Sequence, residues 1–95
     1  MNEYYEDGLT LKEQALAVQR RINDGTIWQL EGAAGRLAMR LLEEGLCMLP
    51  KVSCRDYYGN RVPSRDKLKP GAIGTWRYVE ERYGRSWAAK LARVK

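Results

Sequence analysis

Along the first half of the chain, apolar side chains return every three or four positions. Leu11, Ala15, Val18 and Ile22 recur at spacings of 4, 3 and 4, which places them on one face of a helix. Thr10 and Glu13 precede that stripe as a capping box, in which each side chain satisfies the other residue's amide. Gly25 supplies a residue able to close a helix in the left-handed conformation. The pattern predicts a helix over residues 10–24. A second stripe follows at once. Thr26 and Gln29 offer another capping box, and Ile27, Leu30, Ala34, Leu37 and Leu41 recur at spacings of 3, 4, 3 and 4. This predicts a helix over residues 27–44 that runs through Gly32 and Gly35 at a cost of about 1 kcal/mol per glycine. Gly35 is where a break would fall. Gly45 ends the helix, with Leu46 as the apolar contact that accompanies such a stop.

From Leu46 the period changes. LCML, Pro50-Lys51 and VSCR read as a hairpin with a two-residue turn, which sets Leu49 against Val52 and Cys47 against Cys54. A competing hairpin centres on Gly59-Asn60, with Tyr58 opposite Arg61 and Tyr57 opposite Val62. Both registers make residues 46–69 a β-ribbon or ordered loop, and the pattern does not choose between them. Pro70-Gly71 and Gly74 mark another loop. Thr75 then caps a helix over 75–93 that carries Trp76, Val79 and Tyr83 and is interrupted near Gly84, where Ser86 can cap again. Residues 1–9 read as a loose arm. The expected fold is one domain, mainly α with a small β-hairpin (α+β), with Trp28, Leu30, Leu37, Leu41, Trp76 and Val79 at its centre. In EGAAGRLA, residues 31–38, the absence of bulk invites close approach by another helix or a tryptophan, or leaves a bare surface for a partner.

Composition narrows the function more than the fold. At 44% hydrophobic and 31% charged the chain is expected to fold rather than remain disordered. In a domain of 95 residues the core is modest, so self-association or a partner is expected to matter. The chain has no apolar run long enough to span a membrane, and its N-terminal MNEYYEDG lacks the basic and apolar regions of a leader, so a cytoplasmic setting with reduced Cys47 and Cys54 is expected. There is no histidine, and two cysteines cannot close a tetrahedral zinc site. With no phosphate-binding glycine loop or nucleophile motif either, the expectation is a protein that binds rather than catalyses, without a cofactor.

Charge says where binding would occur. Residues 1–45 carry five basic and eight acidic side chains, a net of −3; residues 46–95 carry twelve basic and four acidic, a net of +8. A split of this size makes a basic face suited to nucleic acid or an acidic protein surface. Its densest part is RDYYGNRVPSRDKLKPG, residues 55–71, which holds Arg55, Tyr57, Tyr58, Asn60, Arg61, Arg65, Lys67 and Lys69. Arginine forks onto phosphate or guanine, lysine neutralises phosphate, and tyrosine stacks on exposed bases. Arginine and tyrosine also anchor protein interfaces. Lys51 and Arg77 flank the stretch. The bland alternative is a loop held by its own ion pairs, such as Asp56 with Arg61 or Asp66 with Lys69.

Two resemblances bear on this reading. The run RLAMRLLEEGLCMLPKVSCRDYYGNRVPS is similar to the second half of a winged helix-turn-helix domain. Leu37, Leu41, Leu42, Gly45 and Leu46 match the end of its recognition helix, and Arg55, Asp56, Gly59 and Arg61 match its basic wing. That resemblance implies a degenerate winged-helix arrangement with Arg36 and Arg40 approaching the major groove. The match stops upstream, where residues 26–45 are too few for a positioning helix, a turn and a full recognition helix. More broadly, residues 25–74 resemble small phage- and prophage-encoded proteins through GTIW, LEG, GR, AM and then RDYYGN, VPSR and KPG. This second resemblance implies little chemistry beyond a small protein that acts by binding; joined to the +8 half of the chain, it leads to the expectation of a non-enzymatic regulator that binds nucleic acid. Its alternatives are an inhibitor or adaptor that binds a host protein, and a component of virion assembly.

Overall fold

A computed structural model describes residues 10–30 and 32–95. The arm expected over residues 1–9 lies outside the described residues. Helix α1, Leu11–Asn23, begins as its sequence dictates. The Thr10 hydroxyl accepts from the Glu13 amide at 3.1 Å, and the Glu13 carboxylate accepts from the Thr10 amide at 3.3 Å. Gly25, at φ +80°, ends it by turning the chain in the left-handed region.

The helix expected over residues 27–44 is two elements. A 3₁₀ turn occupies Thr26–Gln29, the backbone is extended at Leu30, and α2 runs Gly32–Glu44. The break falls before Gly32 and not at Gly35. Thr26 does not cap a helix, because both its amide and its hydroxyl donate to the Asp24 carboxylate. The spacing of three from Ile27 to Leu30 fits a 3₁₀ turn as well as it fits an α-helix, so periodicity could not separate them. The far end of α2 is as expected. The Leu46 amide donates to the Leu41 carbonyl at 2.9 Å and the Gly45 amide to Leu42 at 3.1 Å, a Schellman closure with Leu46 buried behind it.

Residues 46–50 form no hairpin. They are a strap of irregular backbone passing through the core, buried from Leu46 to Pro50. A buried strap without a neighbouring strand needs other partners for its polar groups. The Trp87 indole N–H donates to the Leu46 carbonyl at 3.1 Å. The Gln19 side chain meets both the amide and the carbonyl of Met48. The Leu49 amide donates to the Gly74 carbonyl at 2.9 Å, and the Arg65 amide donates to the Pro50 carbonyl at 2.9 Å. Cys47 and Cys54 therefore do not face each other. Cys47 is fully buried, its thiol donating to the Ala15 carbonyl at 3.2 Å, while Cys54 stands at the start of the ribbon.

The ribbon is β1, Cys54–Arg55, antiparallel to β2, Arg61–Val62, with Cys54 opposite Val62 and Arg55 opposite Arg61. The turn is the Gly59-Asn60 alternative, but its loop is five residues long, so the predicted pairing of Tyr58 with Arg61 is displaced. The chain closes with α3, Trp76–Tyr83, and α4, Arg85–Ala92, bent apart at Gly84. Thr75 caps α3 by accepting from the Tyr78 amide; Gly84, not Ser86, precedes α4 and offers no side-chain cap.

The core joins Val18 and Ile22 of α1, Leu37 and Leu41 of α2, the strap, Val79 of α3, and Trp87 and Leu91 of α4. Leu30 and Trp76, expected at the centre, are 47% and 39% exposed. Leu30 sits at the break between the two elements, and the Trp76 indole N–H is held at the surface by Glu80 at 2.8 Å. Trp28 is half-buried against the core. The result is mainly helical with a small β-hairpin, as the patterning implied. Among the described residues, no helix is long and apolar enough to cross a membrane.

Candidate nucleic-acid interface

The hairpin tip is organised by Asp56. Its carboxylate accepts from the amides of Tyr58 and Asn60 at 2.9 and 2.8 Å, and its carbonyl accepts from Gly59 at 3.0 Å. Gly59 lies at φ +82°, a conformation the turn requires and glycine adopts freely. The Asp56 carboxylate thus serves backbone amides and is not the ion-pair partner of Arg61. Arg55 and Arg61 stand side by side across the ribbon and are both exposed. The Arg55 guanidinium donates to the Gly59 carbonyl at 2.8 Å, which orients it while leaving it further N–H donors. Beyond them Tyr57 and Tyr58 project, 71% and 83% exposed, with rings perpendicular at a centroid distance of 5.3 Å. Asn60 is exposed beside them.

This tip is not a free arm. The Tyr57 amide donates to the Trp28 carbonyl at 3.2 Å, and the Gln29 side chain donates to the Arg55 carbonyl at 3.0 Å. Those two bonds dock the hairpin on the 3₁₀ turn. Between the tip and the N-terminal half of α2 lies a cleft of about 420 Å³. Its lining includes Trp28, Leu30, Gly32, Gly35, Tyr57 and Tyr58. No helix or tryptophan packs on the glycines. A Cβ at Gly35 would meet nothing within 4 Å, so α2 is bare at that position, whereas Ala34, Leu37 and Ala38 face the core. At Gly32 a Cβ would fall 2.8 Å from the Arg36 guanidinium, because Arg36 lies back along the helix toward the cleft. Arg40, one turn further on, is exposed. A second hollow adjoins the first on the other side of Trp28, where Met39 and Ile73 are exposed and Arg61 forms part of the wall.

The remaining predicted residues separate from this group. Arg65 is not a surface cation. Its side chain is half-buried, with Nε donating to the Leu49 carbonyl at 2.8 Å and Nη2 to Asn23 Oδ1 at 3.0 Å. Burial lowers its pKa, an effect the neighbouring Asp66 opposes. Its two bonds tie the strap to α1, so its role is structural. Lys67 and Lys69 are exposed, and Arg77 lines a different hollow of about 460 Å³ together with Arg65, Asp66, Leu68, Pro70 and Trp76. Arg77 there pairs with Glu81 at 3.7 Å, an exposed contact of little energy. Asp66 accepts from the Ser64 hydroxyl at 2.7 Å, which holds its carboxyl below the ordinary range; the charges of Lys67 and Arg65 add to this. Lys51 is exposed just beyond the strap.

The structure therefore brings together Arg36, Arg55, Tyr57, Tyr58, Asn60 and Arg61, with Arg40 beside them. It sets Lys67, Lys69 and Arg77 on another face and takes Arg65 into the fold. The cleft wall of Trp28 and Leu30, and Met39 in the adjoining hollow, were not anticipated. Those residues read as core or helix surface, and no sequence signal distinguishes an apolar residue that lines a groove from one beneath it. No protein-family model, curated protein or solved structure matches this chain.

Proposed function

We propose that this chain is a non-enzymatic regulatory protein that binds nucleic acid through the hairpin tip and the exposed face of α2. The observation that carries the proposal is the pairing of Arg55 with Arg61 across the ribbon, next to two projecting tyrosines and Arg36. The one carboxylate in the loop, Asp56, is committed to backbone amides. Adjacent exposed guanidinium groups suit phosphate, and exposed tyrosines suit bases or sugars. The order of α2 followed by a basic hairpin agrees with what the winged-helix resemblance implies, and the small, basic chain agrees with the phage-type resemblance.

An electrophoretic shift with duplex and single-stranded DNA and with RNA at low salt tests the reading. Binding that Arg55→Ala and Arg61→Ala weaken supports it; no shift with any of these probes removes it. A second reading, an inhibitor or adaptor on a host protein, is favoured by the apolar exposure of Leu30, Met39 and Ile73 around the same hairpin. Its signature is a partner that stays bound after nuclease treatment and is lost with Met39→Ala.

A further inference from the structure

We infer that the cleft between the hairpin tip and α2 receives an unstacked nucleobase, so that the protein prefers single-stranded nucleic acid to intact duplex. The inference rests on the nucleic-acid reading above and names the form of the ligand. Three features of the cleft lead to it.

The first is shape. About 420 Å³ falls in the range of roughly 300–1,000 Å³ typical of small-molecule sites and is sufficient for a base and its sugar. The floor is opened by Gly32 and Gly35, and at Gly35 the missing side chain leaves open space. The second is the wall. Tyr57 and Tyr58 stand perpendicular at 85°, so one ring can offer its face to a base while the other closes the edge. Base–aromatic stacking of this kind requires a base free of its own neighbours, and duplex bases are not. The third is charge. Arg36 reaches along the helix at one rim, while Arg55 and Arg61 are exposed on the ribbon that carries the tyrosines. A base inserted between them carries its phosphates outward toward these cations. A slot walled by Trp28, Leu30, Tyr57 and Tyr58, with arginines on the neighbouring surface and its lining carboxylate, Asp56, bonded to backbone amides, fits an aromatic ring on an anionic backbone better than it fits an acidic peptide, whose charge is on the side chains that would have to enter.

The geometry also supplies a clean test. Gly35 has ordinary helical backbone, absent from the positive-φ glycines, so Gly35→Leu adds a side chain to the cleft floor without strain and improves helix propensity. Fluorescence anisotropy would compare wild type, Gly35→Leu, Tyr58→Ala and Arg61→Ala on a labelled oligothymidine and a labelled duplex of equal length at low salt. The expected result is at least about tenfold tighter binding of the single strand by wild type, the order of one stacked base. Gly35→Leu should remove that preference at unchanged duplex affinity, Tyr58→Ala should weaken the single strand more than the duplex, and Arg61→Ala should weaken both. Equal binding of the two probes, or a preference that survives both cleft substitutions, overturns the base-in-cleft inference, while an Arg61→Ala defect still upholds nucleic-acid binding. Binding of neither probe by wild type overturns both and leaves the cleft to a protein segment.

Discussion

The side-chain amide of Gln19 pairs with the backbone of Met48 as a neighbouring strand would. Its Oε1 accepts from the Met48 amide at 2.6 Å, and its Nε2 donates to the Met48 carbonyl at 2.9 Å. Both residues are fully buried. The same Nε2 reaches Asn23 Oδ1 at 3.1 Å, which also accepts from Arg65, while Asn23 Nδ2 donates to the Val94 carbonyl at 2.9 Å. Four distant segments meet in this one network.

Gln19→Leu keeps the bulk but leaves two buried backbone groups of Met48 without partners. The expected loss is about 2–6 kcal/mol, from roughly 1–3 kcal/mol per orphaned group. Urea unfolding followed by tryptophan fluorescence measures it. A change within about 0.5 kcal/mol, the size of an ordinary surface substitution, would show that the strap does not depend on this amide.

Arg65 and Arg61 separate stability from binding. Arg65→Ala leaves the Leu49 carbonyl unpaired and takes one of two donors from Asn23 Oδ1 in a half-buried site, and should cost about 1–3 kcal/mol. Arg61→Ala removes an exposed side chain and should alter stability by less than about 0.5 kcal/mol. In parallel melts and binding titrations, Arg65→Ala lowers the melting temperature, and Arg61→Ala lowers affinity at unchanged melting temperature.

The cysteines should differ in reactivity and in their effect on pH stability. Burial pushes the Cys47 thiol far above its ordinary 9.0. Cys54 is raised too, by burial first and then by Asp56, but it remains partly accessible. A thiol reagent should label Cys54 in the native protein and Cys47 only after unfolding. Because the folded pKa of Cys47 is the higher one, the unfolded state loses its proton first as pH rises. The stability due to the neutral thiol is complete below 9.0 and is lost progressively above it. Cys47→Ala should flatten that alkaline decline in urea midpoints.

Gly74 and Gly71 provide a matched pair. Both have positive φ, +91° and +90°, where a side chain is strained by about 1–2 kcal/mol. At Gly74 a Cβ would also lie 2.6 Å from Leu49 Cγ, whereas at Gly71 it meets nothing within 4 Å. Gly74→Ala should therefore be clearly the more destabilising of the two by thermal melting, since it also presses on the residue whose amide Gly74 holds.

Much of the local structure was legible because it is written in short-range chemistry. Thr10 with Glu13, Gly25, Gly45 with Leu46, and Thr75 each do what their spacing implied. The core strap was not legible. LCML followed by Pro-Lys has the composition of a strand, and its real partners, Gln19, Gly74, Arg65 and Trp87, lie 15 to 41 residues away in bonds that local pattern cannot anticipate. The ribbon register slipped for a related reason, because Asp56 binds two amides and lengthens the loop. Among the candidate cations, Arg65 looked like Arg61 in sequence. What distinguishes them is a carbonyl and an asparagine supplied by the fold.

The most direct measurement is the salt dependence of nucleic-acid affinity for wild type and for the Arg55→Ala/Arg61→Ala double variant. The log of the affinity should fall linearly with the log of salt, with a slope near −0.9 per phosphate contact on duplex and about −0.7 on a single strand. Removing the two arginines should weaken binding and flatten the slope by about one to two contacts, with the fold unchanged. A wild-type protein whose binding ignores salt, or a double variant with the same affinity and slope, would contradict a function carried by this face.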